Sequence, residues 1–237
     1  MISYSDLDNL EQRLCDLICE YDSLNYHICP YIERKYVLEF GLDEYELYRL
    51  DLEIEKLNRK IQLINENVSD YDEIANKEFK EYFYQLEAQM DEVNYFKNDD
   101  FNELSLEEFN HLNEVYLLLI SNLHFDIHAS QSFLERAWCI RAMNAFKNLD
   151  LNNLELLVET ISSEELSPVS KIKDFEKIIM DFEGSIAGVK DDYPFNKARL
   201  IFDDVEKDDY HIMLNELKSQ RVQEKIFLES KIDRLTS

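Results

Sequence analysis

Glycine and proline are scarce, with three of each in 237 residues. Turns draw on the positive φ of glycine and the preset φ of proline, so a chain with so few of either favours long helices. No stretch combines strand alternation with hairpin turn chemistry. Basic residues are also few: 25 Lys and Arg against 51 Asp and Glu leave a net charge of −26. That disfavours direct nucleic-acid or anionic-membrane binding, which need positive charge, and leaves room for a basic protein partner. No apolar run approaches the ~18 residues of a membrane span. Met1 to Asp6 lacks the basic and apolar regions of a signal peptide. The expectation is a cytoplasmic protein with its four cysteines reduced. A Gly-rich phosphate loop, a nucleophile elbow and a zincin motif are all missing. No catalytic, cofactor-binding or metal-ligating residue is therefore assigned, and a non-enzymatic protein is expected.

What is present is helical periodicity. The fold class expected is all-α, with helical hairpins or coiled coils flanking a small central module. Residues 1 to 29 read as a helix with Ser5 as its cap and Leu7, Leu10, Leu14, Leu17 and Leu24 on one face. Cys15 and Cys19 lie one turn apart, with His27 and Cys29 following; the spacing is not that of a zinc finger or ribbon, and small apolar core packing is the simpler reading. Pro30 and Gly41 should kink or break the chain. From Asp43 to Asn65, Leu47, Leu50, Ile54, Leu57, Ile61 and Ile64 form a coiled-coil seam about three heptads long, with Glu55 and Arg59 paired outside. This predicts an N-terminal hairpin over 1–68. A connecting helix over 69–100 carries Tyr71, Ile74, Phe79, Tyr82, Phe83, Leu86, Met90 and Val93. Without interleaved cations these are packing residues rather than a base-stacking platform.

After a linker, a C-terminal hairpin is expected over 167–237. Ser167 and Pro168 start its first helix. Gly184 and Gly188 weaken that helix unless another backbone approaches them. Leu214, Leu217, Val222, Ile226, Leu228, Ile232 and Leu235 line its second helix, and their phase slips near Arg221.

The centre of the chain, 101–161, reads as helix, loop, helix, turn, helix. Ser105 caps the first helix, predicted from about Leu106 to Leu123, and Glu107 and Glu108 favour its positive end. It is apolar nearly all round, so more than one neighbour must cover it. The second helix, from about Gln131 to Lys147, turns Leu134, Trp138, Ala142 and Ala145 one way, with Cys139 and Phe146 beside them. Asn148 closes it in a left-handed turn, and Asp150 caps a short third helix.

Between the first two helices stands His124-Phe125-Asp126, and the second ends Arg141-Ala-Met-Asn-Ala-Phe-Lys-Asn-Leu-Asp-Leu151. These residues resemble the J domain of DnaJ-type co-chaperones, whose loop is His-Pro-Asp. The flanks resemble bacterial J-domain-containing proteins with coiled-coil arms, in Cys29 to Tyr36, Glu39-Phe40-Gly41 and Tyr193-Pro194-Phe195-Asn196. The resemblance implies a DnaK-type chaperone as partner and His124, Phe125 and Asp126 as the contact loop. Two departures oppose a working contact. Phe125 stands where the proline belongs, and Ser105 to Asp126 carries no cation and a net charge of −4. An acidic helix facing an acidic docking surface is repelled. The reading is a degenerate J-like adaptor or a divergent DnaK co-chaperone. The alternative is an acidic DNA mimic that inhibits a nucleic-acid-binding protein. The heptad seams close either within one chain or between two, as a homodimer through the arms.

Overall fold

The computed structural model describes residues 4–99, 104–128, 130–164, 166 and 175–237, with side chains from residue 9 onward. The predicted start at Ser167 and Pro168 lies outside these residues. The described residues are all-α and contain no strand. The helices are α1 (Tyr4–Ser23), a π-helical turn (Leu24–Ile28), α2 (Cys29–Asn65), α3 (Tyr71–Asn98), α4 (Leu106–Leu123), α5 (Phe133–Lys147), α6 (Leu151–Ser162), α7 (Phe175–Asp191), a 3₁₀ turn (Phe195–Lys197), α8 (Ala198–Phe202) and α9 (Asp204–Thr236). They fall into two compact units, one of residues 1–31 and 101–196, the other of 32–100 and 197–237.

The expected N-terminal hairpin does not form, because the chain is helical without a break from Tyr4 to Asn65. Pro30 has no N–H to donate, and its ring crowds the carbonyl four residues back. The wider π turn just ahead of it absorbs both defects: the Cys29 N–H reaches five residues back, to the Leu24 carbonyl. Gly41 does not break α2 either. It is a contact glycine, since a Cβ there would lie 2.8 Å from Val93 Cγ2 on α3.

The first unit packs α1 against α4 and α7, and α4 against α5 and α6. One core runs through it: Leu14 and Ile18 of α1, Leu112, Tyr116 and Leu119 of α4, Phe146 of α5, Leu154 and Leu157 of α6, and Ile179 of α7. Fully burying a Leu or Ile contributes about 1.5–3 kcal/mol, so these positions hold the unit together. α7 thus belongs with α1 here, whereas α9 lies in the second unit; the two do not make the C-terminal hairpin the sequence suggested. Each needs a long apolar partner face, and periodicity does not say whose.

The second unit is built around α2. Arg59 meets Glu78 (2.8 Å), Tyr45 meets Glu87 (3.3 Å) and Arg34 meets Asp99 (3.1 Å), so α3 runs antiparallel to α2. Glu39 meets His211 (2.9 Å), Asp43 meets Lys218 (2.6 Å), Asp51 meets Arg221 (2.6 Å) and Glu53 meets Lys225 (2.6 Å), so α9 runs parallel to it. Arg34 and Arg59 of α2 thus pair at the α3 side, and Glu39, Asp43, Asp51 and Glu53 with α9. Arg59 therefore finds its partner across the helix pair rather than in Glu55. Beneath the ions, Phe40 sits edge-on to Tyr210 (4.9 Å). Glu44 accepts from both the Tyr36 and Tyr210 hydroxyls, at 2.5 and 2.6 Å. Burial and this carboxylate push the Tyr210 phenol up to about 12.

Candidate interaction surface

The loop between α4 and α5 begins where Ser105 has already set the phase of α4. Its side chain accepts from the Glu108 N–H, and Glu108 accepts from the Ser105 N–H at 2.8 Å, a reciprocal cap. α5 opens the same way, at Ser132 and Glu135. The Ser-x-x-Glu spacing carried that second cap, and it places the helix start at Phe133 rather than Gln131. Phe125 takes part in a backbone hydrogen bond with the Cys139 thiol, while Tyr116 stacks on Phe146 at 3.9 Å. The middle of α5 therefore meets the loop just past α4, and late α5 meets the middle of α4, so the two helices are antiparallel.

Several polar groups of the loop are tied down within it. The His124 carbonyl accepts from the N–H groups of Ile127 (3.0 Å) and His128 (2.8 Å). The Asp126 N–H donates to His124 Nδ1 at 3.3 Å. His128 Nε2 donates to the Ser121 carbonyl at 2.7 Å, and the Gln131 amide donates to the Leu123 carbonyl. The open carbonyls at the end of α4 are thus capped by side chains of the loop. Ile127 is wholly buried and anchors the turn.

His124 is 3% exposed, and burial, then the nearby His128, depresses its pKa to about 4. It is neutral at pH 7, with its Nδ1 lone pair already used. Its approach to Asp126 Oδ2, 3.7 Å, is accordingly no ion pair. Burial also raises the Asp126 carboxyl. Phe125 stacks its ring on His124, with centroids 4.3 Å apart, and remains 53% exposed. A proline at 125 would remove the N–H that the Cys139 sulfur meets.

Of the predicted inner face of α5, Ala142 and Ala145 are buried, with Cys139 and Phe146 beside them, and Glu135 is buried as well. Trp138 is half-buried, and Leu134 instead stands out at 51% exposure, with Phe133 and Ile140 at 90 and 60%. Arg136, Arg141 and Lys147 give the helix a net charge of +2 in a chain of −26. Phe133 and Ile140, seven residues apart, share a face with Arg136 and Ala137. The left-handed residue after α5 is Leu149 (φ 56°) rather than Asn148. Its N–H bonds the Phe146 carbonyl (3.0 Å) and that of Asp150 bonds Ala145 (2.9 Å), a Schellman closure.

Sequence reasoning did not find the polar network that joins α1 to α4. The Tyr116 hydroxyl, wholly buried, donates to Asp22 Oδ2 at 2.5 Å. Burial raises the Asp22 carboxyl, against the lowering effect of that bond. Ser23 donates to Asn113 Oδ1 at 2.6 Å. Cys15 and Cys19 are buried thiols pushed up to about 12 by burial, so they are protonated and poor metal ligands. His27 lies in the π turn, edge-on to Phe109 (5.8 Å) and Phe146 (4.7 Å). Its Nε2 is buried without a hydrogen-bond partner. Among the described residues no three His, Cys, Asp or Glu side chains converge as metal ligands, and no helix is long and apolar enough to cross a membrane. Compared with known proteins, the chain matches no family model, no curated protein and no solved structure.

Proposed function

We propose that this chain is a non-enzymatic interaction protein, a J-like adaptor whose chaperone contact is degenerate or changed. One observation carries the reading. The loop presents an aromatic ring, Phe125, braced on a buried histidine and open to a partner. Such a loop has an address function rather than a reactive one. The neighbouring helix supports it with exposed Phe133 and Ile140 beside Arg136. Aromatic and arginine side chains on a preformed surface are the usual anchors of binding energy. The coverage of α4 by α1, α5 and α6 and its acidic residues Glu107 and Glu114 argue against a basic docking face of the working co-chaperone kind.

The test is steady-state ATP hydrolysis by a DnaK-type chaperone with the wild-type chain, Phe125→Ala and Glu107→Lys/Glu114→Lys. The expected result is less than about twofold stimulation by wild type, with a rise in the lysine variant as like-charge repulsion is removed. Strong stimulation by wild type, abolished in Phe125→Ala, would show an intact co-chaperone and overturn the claim of a degenerate contact.

A further inference from the structure

Charge sets α5 apart from the rest of the chain. From Arg136 to Leu149 there is no Asp or Glu, the longest acid-free run in a sequence where about one residue in five is acidic. Arg136, Arg141 and Lys147 lie in that run, and none of them forms an ion pair among the described residues. Arg141 Nε donates to the side-chain oxygen of Asn153 at 2.8 Å, a neutral partner. The Lys147 ammonium lies 5.3 Å from the centre of the Tyr26 ring. The three cations thus meet no carboxylate within the fold.

The same helix carries a seam. Phe133, Ala137, Ile140, Asn144 and Lys147 follow at alternating steps of four and three, and all five are exposed. Such steps make the contact line between two helices. With 3.6 residues per turn, Arg136 and Arg141 fall on either side of that line. The opposite face, with Cys139, Ala142, Ala145 and Phe146, is already taken by the core of the unit. Ala137, small and set between Phe133 and Ile140, leaves a hollow for an apolar side chain of a second helix.

The chemistry selects the occupant. A second copy of α5 would set Arg136 and Arg141 against the same cations, which opposes self-pairing. A nucleic acid is repelled by a chain of net charge −26 and asks for more than three cations. We infer that the outer face of α5 binds an acidic amphipathic helix of another protein, with its apolar anchors between Phe133 and Ile140 and its carboxylates on Arg136 and Arg141. This rests on the interaction-protein reading above and names the partner's chemistry. At 0.15 M salt the Debye length is about 8 Å, so the charges of α5 itself govern the docked helix, and the distant net charge is screened.

The test is fluorescence anisotropy of the full chain at 0.15 M NaCl with a labelled synthetic peptide, about three heptads long, bearing leucine on its seam and glutamate beside it. The expected dissociation constant is below about 100 μM. A scrambled peptide of the same composition, the Ile140→Gln variant and the Arg136→Glu/Arg141→Glu variant should each bind about tenfold more weakly. Asn144→Leu, which extends the seam, should tighten binding severalfold, a gain that misfolding does not produce. Far-UV circular dichroism should be unchanged in all variants, since the substituted residues are exposed. No binding at 1 mM peptide, affinity indifferent to Ile140→Gln or to the arginine reversal, or tighter binding of an oligothymidine than of the peptide would each overturn the inference. So would self-association of the wild-type chain that Ile140→Gln abolishes, because the occupant would then be a second copy. The chaperone assay reads the loop and the peptide reads α5. Strong stimulation by wild type would overturn the degenerate contact and leave the peptide affinity as it is, whereas a silent peptide with an unstimulated chaperone overturns this inference alone.

Discussion

At the scale of single residues, the chemistry of this protein is concentrated in polar groups that burial has changed. Asp22 and Tyr116 form one such pair. Removing the hydroxyl in Tyr116→Phe keeps the stacking on Phe146 but leaves a buried carboxyl without its donor. The expected loss is about 2 kcal/mol in urea unfolding, with partial recovery on adding Asp22→Asn. His27 and His124 form another case, both held near pKa 4 against an ordinary 6.5, chiefly by burial. A depressed histidine pKa means that the fold favours the neutral ring. The stability it contributes is complete above pH 6.5 and is lost as pH falls towards 4. At 1.36 kcal/mol per unit the upper bound is about 3 kcal/mol for each ring. Asp22 and Asp126, whose carboxyls are raised, act in the opposite sense. The contrast between wild type and His27→Leu therefore isolates the histidine: the variant should lose roughly half of the wild-type decline between pH 6.5 and 4 that the two rings cause.

At the scale of helices, the three glycines separate by what surrounds them. Nothing lies within 4 Å of a Cβ built at Gly184 or Gly188, whereas one at Gly41 meets Val93. Alanine at 184 or 188 should stabilise the fold by about 1 kcal/mol each through helix propensity. Alanine at 41 should show no gain, because overpacking against the stiff Val93 offsets the propensity. Thermal unfolding of the three variants side by side checks the ordering. The reciprocal cap at Ser132 predicts a further loss of about 1 kcal/mol for Ser132→Ala. Ser105, Leu106–Leu123 and Asp150 were legible because capping and dipole chemistry are local. The outward turn of Leu134 was not, because hydrophobicity does not reveal that Glu135 is taken inward by its cap.

At the scale of the whole molecule, charge does two jobs. Between α2 and its neighbours it sets direction, since reversing α9 would set carboxylates against Asp208 and Asp209. Across the chain, a net charge of −26 opposes compaction. The ion pairs are largely exposed and contribute little stability, so screening the net repulsion should dominate. Added NaCl is expected to raise the melting temperature by about 2–5 °C between low salt and 0.3 M. A fall would mean that the α2–α9 ion pairs outweigh the net repulsion.

By itself the sequence determined the all-α class, the start and stop of α4, the cap of α6 and the heptad spacing along α2, because each depends on residues within two turns of one another. The tertiary structure alone decided that Pro30 sits in an unbroken helix and that α7 packs on α1. It also decided that α3 runs antiparallel and α9 parallel to α2. Those outcomes are choices between chemically similar surfaces. Periodicity marks that a face must be buried, and only the packed chain determines against which neighbour.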